Sequence, residues 1–268
     1  MYKFLDEKGE HRHELDGKPL LGTSTVTNII AKPLTWWASG MAVAELGWTN
    51  GKIKENGRYK TIPLEDRLEV AKPHLERLKT LDVAEYLTEL DKAYRAHSSG
   101  LKKAATKGTN LHAELELYVK EQLGIAPKRL FDTYPEQIKP FIKWAEENVE
   151  KWLLSEGHTY SERLWLGGIV DAGAVLKDGR KAIIDFKSSK DAYFNQYIQI
   201  ALYDIQIGEN GVFTKDSEQM LEKFNVDTYI VIPFGAENFM ICERKNVADF
   251  RRYGEAAVQL YKGSNSFE

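Results

Sequence analysis

The spacing of hydrophobic positions changes near residue 160. Upstream of it, apolar residues recur mostly at helical intervals. The stretch from Leu34 to Leu46, rich in Trp and Ala, reads as a helix, and Gly47 to Gly57 reads as a loop. Pro63 to His97 carries a strongly charged helical pattern that Pro73 is expected to break into two pieces. Ser98-Ser99-Gly100 punctuates the chain. Leu111, Leu115, Val119 and Leu123 then follow at four-residue spacing, with Thr109 or Asn110 as a cap and Gly124 as a stop. A further helix is predicted from Pro135 to Glu156, ending at Gly157.

From Tyr160 the texture is that of strands. Tyr160 to Leu176 and Lys181 to Lys187 are β-rich and joined across Lys177-Asp178-Gly179, a hairpin signature. A helix follows from Phe194 to Ile207. Thr228 to Pro233 reads as a buried strand, Asn238 to Glu243 as another, and Asn246 caps a last helix to Tyr261. At the start, residues 1–22 alternate short strand-like and turn-like pieces around Asp16-Gly17, and Thr23 to Ile30 is β-branched and Ser/Thr-rich. The order predicts an α/β (α+β) protein. Residues 1–100 form a mostly helical N-terminal layer, and residues 101–268 form the core.

The chain has 268 residues, 43% hydrophobic and 29% charged, as expected of a globular protein with a sizeable core. A net charge of -3 excludes a global basic field, so any nucleic-acid surface must be local. Cys242 is the only cysteine, which excludes an internal disulfide framework, a Cys-rich zinc site and a four-cysteine iron–sulfur cluster. The charged opening segment does not read as a signal or transit peptide, and no apolar run approaches the ~20 residues of a membrane span. A cytoplasmic location is expected, with no membrane partner. No GxxxxGK[ST] occurs, so no nucleotide site is expected.

Chemistry concentrates in GGIVDAGAVLKDGRKAIIDFKSSK, where Asp171 and Asp185 sit in otherwise apolar strands. A carboxylate in such company is costly unless paired or bound to a cation, and two together repel unless a cation such as Mg²⁺ or Mn²⁺ resolves them. An Asp-X-Lys triplet alone is common at solvated strand ends; the upstream Asp171 sets this one apart. Loop length decides whether they meet. A two-residue Asp178-Gly179 turn puts Asp171 opposite Phe186 and turns Asp185 to the other face. A three-residue loop, with Gly179 left-handed, puts Asp171 opposite Asp185 and Lys187 on the same face two residues on. An odd-length connection is therefore predicted. The metal would polarise a phosphodiester oxygen and activate water, with the Phe186 carbonyl as a further ligand and Lys187 orienting the water.

This stretch resembles the PD-(D/E)XK nuclease superfamily, and within it the RecB-like exonuclease branch. Gly108-Thr109-Asn110-Leu111-His112-Ala113-Glu114-Leu115-Glu116 resembles that branch's GTxxHxxxE helix, and Gln199-Ile200-Ala201-Leu202-Tyr203 resembles its QxxxY motif. Glu162 stands where an acidic residue often precedes the first strand carboxylate. Val170 replaces the namesake Pro, as in many RecB-like members. More loosely, Thr25-Val26-Thr27, Lys32-Pro33-Leu34 and Trp37-Ala38 resemble the opening of phage-encoded members and of the mitochondrial genome-maintenance exonuclease.

The resemblance implies a restriction-endonuclease-like central mixed sheet flanked by helices. It implies a Mg²⁺- or Mn²⁺-dependent DNA exonuclease of recombination, repair or phage DNA processing, in a bacterial or phage-infected cell. Asp171, Asp185 and His112 ligate metal, Glu116 being a further candidate on the His112 face. Lys187 assists the water, while Gln199 and Tyr203 position the site. The expected partner is DNA that is single-stranded or has free ends, with a recombinase or single-strand-binding protein as a possible associate. Lys102, Lys103, Lys107 and Ser188 are candidate DNA contacts. Trp36 and Trp37 are candidates for base stacking, with core packing as their other use. The rivals are a structure-selective or restriction-type endonuclease and a non-catalytic DNA-binding subunit.

Overall fold

The computed structural model describes residues 1–7, 10–31, 35–55, 58–235 and 239–265, with the backbone alone for 7, 10, 35–37, 54–55, 97 and 99–109. The chain opens with strands β1 (Tyr2–Glu7), β2 (Glu10–Leu15), β3 (Lys18–Pro19) and β4 (Leu21–Gly22), then helix α1 (Thr23–Thr27). A two-residue turn, Asp16 and Gly17 both at positive φ, joins β2 to β3. Next come α2 (Thr35–Ala44), β5 (Lys52–Glu55), β6 (Arg58–Thr61), α3 (Leu64–Lys79) and α4 (Val83–Gln122). The remaining elements are α5 (Lys139–Asn148), β7 (Val149–Ser161), β8 (Leu166–Leu176), β9 (Lys181–Lys187), α6 (Phe194–Asn210), β10 (Val212–Phe213), β11 (Gln219–Leu221), β12 (Thr228–Pro233), β13 (Cys242–Arg244) and α7 (Val247–Ser264).

By compactness the chain divides into residues 32–106 and residues 1–31 with 107–268. The first 31 residues, read from sequence as part of the N-terminal layer, fall in the larger unit. They are tied there by the parallel pairing of β4 with β8 and by Val26, buried among Leu166, Leu202 and Val258.

The larger unit holds a mixed sheet in the order β11-β10-β7-β8-β9-β12-β13, with β4 beside β8. The β9–β12 and β4–β8 pairs are parallel and the rest antiparallel. Helices cover both faces, so β9 is buried almost throughout rather than alternately. Ala182, Ile184 and Phe186 pack with Leu115, Val119, Phe141 and Ile142 of α4 and α5. Ile183 packs instead with Ile198, Ala201 and Ile207 of α6. A mixed sheet flanked by helices agrees with the α+β class read from sequence.

Local expectations fail where tertiary context outweighs pattern. Helix α3 runs through Pro73, and the break falls at 80–82. There Asp82 and Glu85 form a reciprocal capping box, each side chain accepting from the other's N–H at 2.8–2.9 Å. Helix α4 continues through Ser98-Ser99-Gly100, so Thr109 and Asn110 are interior and cap nothing. The expected 47–57 loop holds β5, which pairs with β6, and the β-branched run after Gly22 is helical. The helix expected to reach Glu156 stops at Asn148, because residues 149–161 pair with β8.

Candidate active site

Lys177 to Gly179 form a three-residue turn between β8 and β9, closed by Leu176 and by Arg180 just ahead of β9. The Leu176 N–H donates to Arg180 O at 2.8 Å, the Gly179 N–H to Leu176 O at 2.8 Å, and Gly179 takes φ +87. The ladder then runs from Val175↔Lys181 to Ala172↔Ile184. Extended by one step, the same register would set Asp171 against Asp185, as expected of an odd-length loop.

At that step β8 changes partner. One edge of β8 pairs with β4 at Leu166 and Gly167 and with β9 from Ala172 to Val175. Residues 168–171 between them have no ladder partner on that edge among the described residues. The Phe186 N–H, next in line for a ladder bond, donates to the Asp171 Oδ2 at 2.8 Å instead. Strand β9 continues beside β12, with Asp185↔Val231 and Lys187↔Pro233. The two carboxylates thus lie at a fork in the sheet, where backbone divergence makes room for side chains.

Asp185 is 1% exposed. Its Oδ1 accepts a hydrogen bond from Lys187 Nζ at 2.8 Å; Oδ2 is equally near that ammonium but takes no hydrogen bond. Burial pushes the Asp185 carboxyl up to about 7, against the pull of Lys187 and with the push of Asp171. Asp171 goes the other way. Burial alone would raise it, but the His112 bond, the Lys187 charge and the Phe186 N–H hold it below the ordinary carboxylate range. Its partner His112 lies with Nε2 3.2 Å from Asp171 Oδ2. Burial disfavours the imidazolium, yet Asp171 and Glu116 outweigh it and raise the His112 pKa. Lys187 is likewise raised by the two carboxylates despite its burial, so the ammonium persists. Neighbouring acids pushed apart in pKa, beside a retained cation, are what acid–base or metal chemistry requires.

Gln199 and Tyr203 close the fork from α6, Gln199 Nε2 donating to Tyr203 Oη at 2.7 Å. Burial and the Asp185 and Asp171 charges raise the Tyr203 phenol far above its usual range, so it stays neutral. Tyr203 fits because residue 168 is glycine: a Cβ there would stand 2.5 Å from Tyr203 Cε1 and 2.8 Å from Thr23 Oγ1. Next to it, Gln206 is fully buried and satisfied, accepting from Thr159 at 2.9 Å and donating to Thr23 at 2.8 Å; Thr23 donates to Gly167 O at 3.1 Å.

Sequence reading missed Glu156 and Lys120. The β7–β8 register sets Glu156, at φ +50, across from Asp171. Lys120 bridges Glu116, one turn below it on α4, and Glu156, the latter at 2.6 Å. The hydrophobic run 149–154 read as helix hid Glu156; its only sequence signal is the Glu156-Gly157 break. Glu162, read from sequence as the upstream acid, lies exposed in the β7–β8 turn. That turn connects Ser161 and Leu166, at the end of the ladder, whereas Asp171 lies midway along β8.

Among the other candidates, Phe186 has its ring in the core against Phe141 and His112, and Ser188 is exposed just past Lys187. The side chains of Lys102, Lys103, Lys107, Trp36 and Trp37 lie outside those described.

Among the described residues, no three His, Cys, Asp or Glu side chains form a preformed metal cage. The fork nonetheless suits a hard cation. Mg²⁺ is commonly held by one or two carboxylates, with water and substrate phosphate completing its shell. The Asp185 Oδ2, which takes no hydrogen bond and is buried beside a second carboxylate, offers that kind of oxygen donor. The scan against models of known protein families matches none to this chain, and the search of curated proteins finds no relative of it.

Proposed function

We propose that the protein is a Mg²⁺- or Mn²⁺-dependent deoxyribonuclease with a restriction-endonuclease-like core, an exonuclease resembling the RecB-like branch. The observation that carries this reading is the fork. Asp171 and Asp185 lie just past the last ladder pair of an odd-length hairpin, with the Lys187 ammonium 2.8 Å from both Asp185 oxygens and Oδ2 taking no hydrogen bond.

In this reading Asp171 and Asp185 hold the cation, and Glu116 and His112 stand one helical turn apart beside them. A cation held there would supply Lewis-acid polarisation of a phosphodiester oxygen and a more acidic water. Lys187 keeps its charge, orients the attacking water and offsets charge developing on the phosphorus oxygens. His112 fixes the Asp171 carboxylate through Nε2. Tyr203, neutral and held by Gln199, keeps its O–H for a phosphate oxygen. Burial of Asp185 keeps bulk water from its outer face, which strengthens each of these interactions.

A strand-cleavage assay tests the reading, with Mg²⁺, with Mn²⁺ and in EDTA, on wild type, Asp185→Ala and Lys187→Ala. Cleavage by wild type with metal alone, and its loss in both variants, is expected. Full activity in both variants, or none in wild type with any divalent cation, sinks it. Linear DNA degraded while closed circles are spared marks an exonuclease; nicked circles mark an endonuclease.

A further inference from the structure

Away from the fork, two histidines are sealed between the N-terminal hairpin and the larger sheet. In the β1–β2 register Tyr2 stands opposite Leu15 and Phe4 opposite His13, so these four side chains share one face. Arg12 and Glu14, at the alternate positions of β2, pair with each other on the other face. The shared face lies on His158 and Tyr160 of β7 and on Phe213 of β10. The Tyr2 ring stacks on Tyr160 at 4.4 Å and lies 5.2 Å from Phe213. The Phe4 ring is 4.1 Å from His158 and 5.1 Å from His13, and the two imidazoles are 5.8 Å apart. Glycine at residue 167 permits this: a Cβ there would stand 2.4 Å from the His13 Cβ.

His13 is 8% exposed and His158 4%. The His13 Nδ1 is hydrogen-bonded to Tyr2 Oη at 2.7 Å, while the buried His158 Nδ1 has no hydrogen-bond partner. Little around them would welcome a positive charge. On the hairpin, Tyr2 is kept neutral by burial, and His11, stacked on Phe4, adds a like charge when protonated; Asp6 lies 3.6 Å from His11. On β7, burial raises the Tyr160 phenol, and Glu156 is bound to Lys120 at 2.6 Å. Gly167, Phe213 and Ser217 carry no charge. Burial, then the His158 and His11 charges, push His13 down to about 3. Burial pushes His158 down to about 4, outweighing Glu156.

The hairpin is also built to part as a unit. Strands β1, β2 and β3 form a sheet of their own, whose ladders are separate from those of the larger sheet. Its attachment runs through the ring cluster and a few polar ties. The Phe4 N–H donates to Ser217 Oγ at 3.0 Å, and the Trp165 indole N–H donates to Pro19 O at 3.0 Å. A segment held by side chains can open without breaking the ladders beneath it.

We propose that His13 and His158 form an acid-released latch: with both imidazoles neutral the β1–β3 sheet is held on β7 and β10, and protonation of the pair lets it part from them while the larger sheet stays intact. The latch stands apart from the nuclease reading and holds whether or not the fork cleaves DNA. Its sign follows from linkage. The open hairpin returns both rings to the ordinary imidazole range near 6.5, so opening takes up protons. Closure is fully favoured above that value and is lost as pH falls towards 4.

Hydrogen exchange by mass spectrometry on the full chain in EDTA, corrected for intrinsic exchange rates, tests it at pH 7 and pH 5. The opening equilibrium of residues 2–15 is expected to rise about a hundredfold or more between them, while β9 and β12 stay protected. His158→Phe and His13→Gln should each cut that rise to on the order of tenfold, and the double variant should nearly abolish it. Either single variant suffices if the double variant does not fold. A wild-type rise kept in both single variants overturns the latch. So does equal protection of residues 2–15 at the two pH values in wild type, or loss of β9 and β12 protection together with the hairpin.

Discussion

Two of the carboxylates almost wholly removed from water, Glu121 and Asp185, are treated oppositely. Glu121, on the last turn of α4, is 0% exposed and answered by the fold: the Arg129 guanidinium holds one oxygen and the Tyr134 hydroxyl the other. Arg129 also reaches Glu114 at 2.8 Å and covers the Tyr134 ring. Asp185 is 1% exposed, shares one ammonium and leaves Oδ2 without a hydrogen bond. A buried acid with every lone pair engaged fixes a loop to a helix. One left partly unanswered is a burden on the fold, retained where chemistry uses it.

The largest effect that tests this contrast is catalytic. Asp185→Ala is expected to lower DNA cleavage by on the order of 10³-fold or more, while Asp185→Asn, which keeps a carbonyl oxygen for the Lys187 ammonium, is expected to lose cleavage yet melt at or above the wild-type temperature in EDTA, since it relieves a desolvated acid. A variant that is both active and destabilised would reverse the assignment. Glu121→Ala should do the opposite. It costs about 1–3 kcal/mol in urea titration by leaving the buried Tyr134 hydroxyl unpaired and Arg129 with Glu114 as its remaining acid, while the folded fraction cleaves as wild type does.

A smaller effect is carried by pH. The folded Asp185 binds its proton up to about 7, whereas the unfolded chain releases it near the ordinary carboxylate value. Between those values the folded state holds the extra proton, so the contribution of Asp185 to stability in EDTA is fully present below the ordinary carboxylate value and is lost as pH rises through about 7. Urea midpoints at pH 4.5 and 7 should show this slope in wild type and not in Asp185→Asn. Smallest in stability is Gly168→Ala, which forces the Tyr203 ring aside at a cost of about 1–3 kcal/mol. Cleavage should fall more than stability does, and unchanged kinetics would remove Tyr203 from the site.

Much of the site was legible because its geometry is local. The β-branched runs of β8, β9 and β12, the Gly179 turn and the four-residue spacing of Gln199 and Tyr203 each depend on near neighbours. The juxtaposition of Asp171 and Asp185 then follows from counting loop residues. The remainder depends on partners far along the chain. Residues 149–156 are compatible with a helix, and only pairing with β8 makes them a strand and delivers Glu156 opposite Asp171. Thr23 and Gln206 meet across 183 positions, and no local pattern marks either. Pro73 was read as a breaker from its own chemistry, but the stop was set by the capping pair Asp82 and Glu85.

The three-residue connection between β8 and β9 also dictates how this gene can change. Substitutions at Lys177 or Asp178 alter an exposed tip and are cheap. Loss or gain of a single codon there rotates Asp171 out of line with Asp185, whereas a gain of two restores the alignment. Length variants in this loop should therefore survive selection in even steps only, a reading frame of two imposed by the pleat of the sheet.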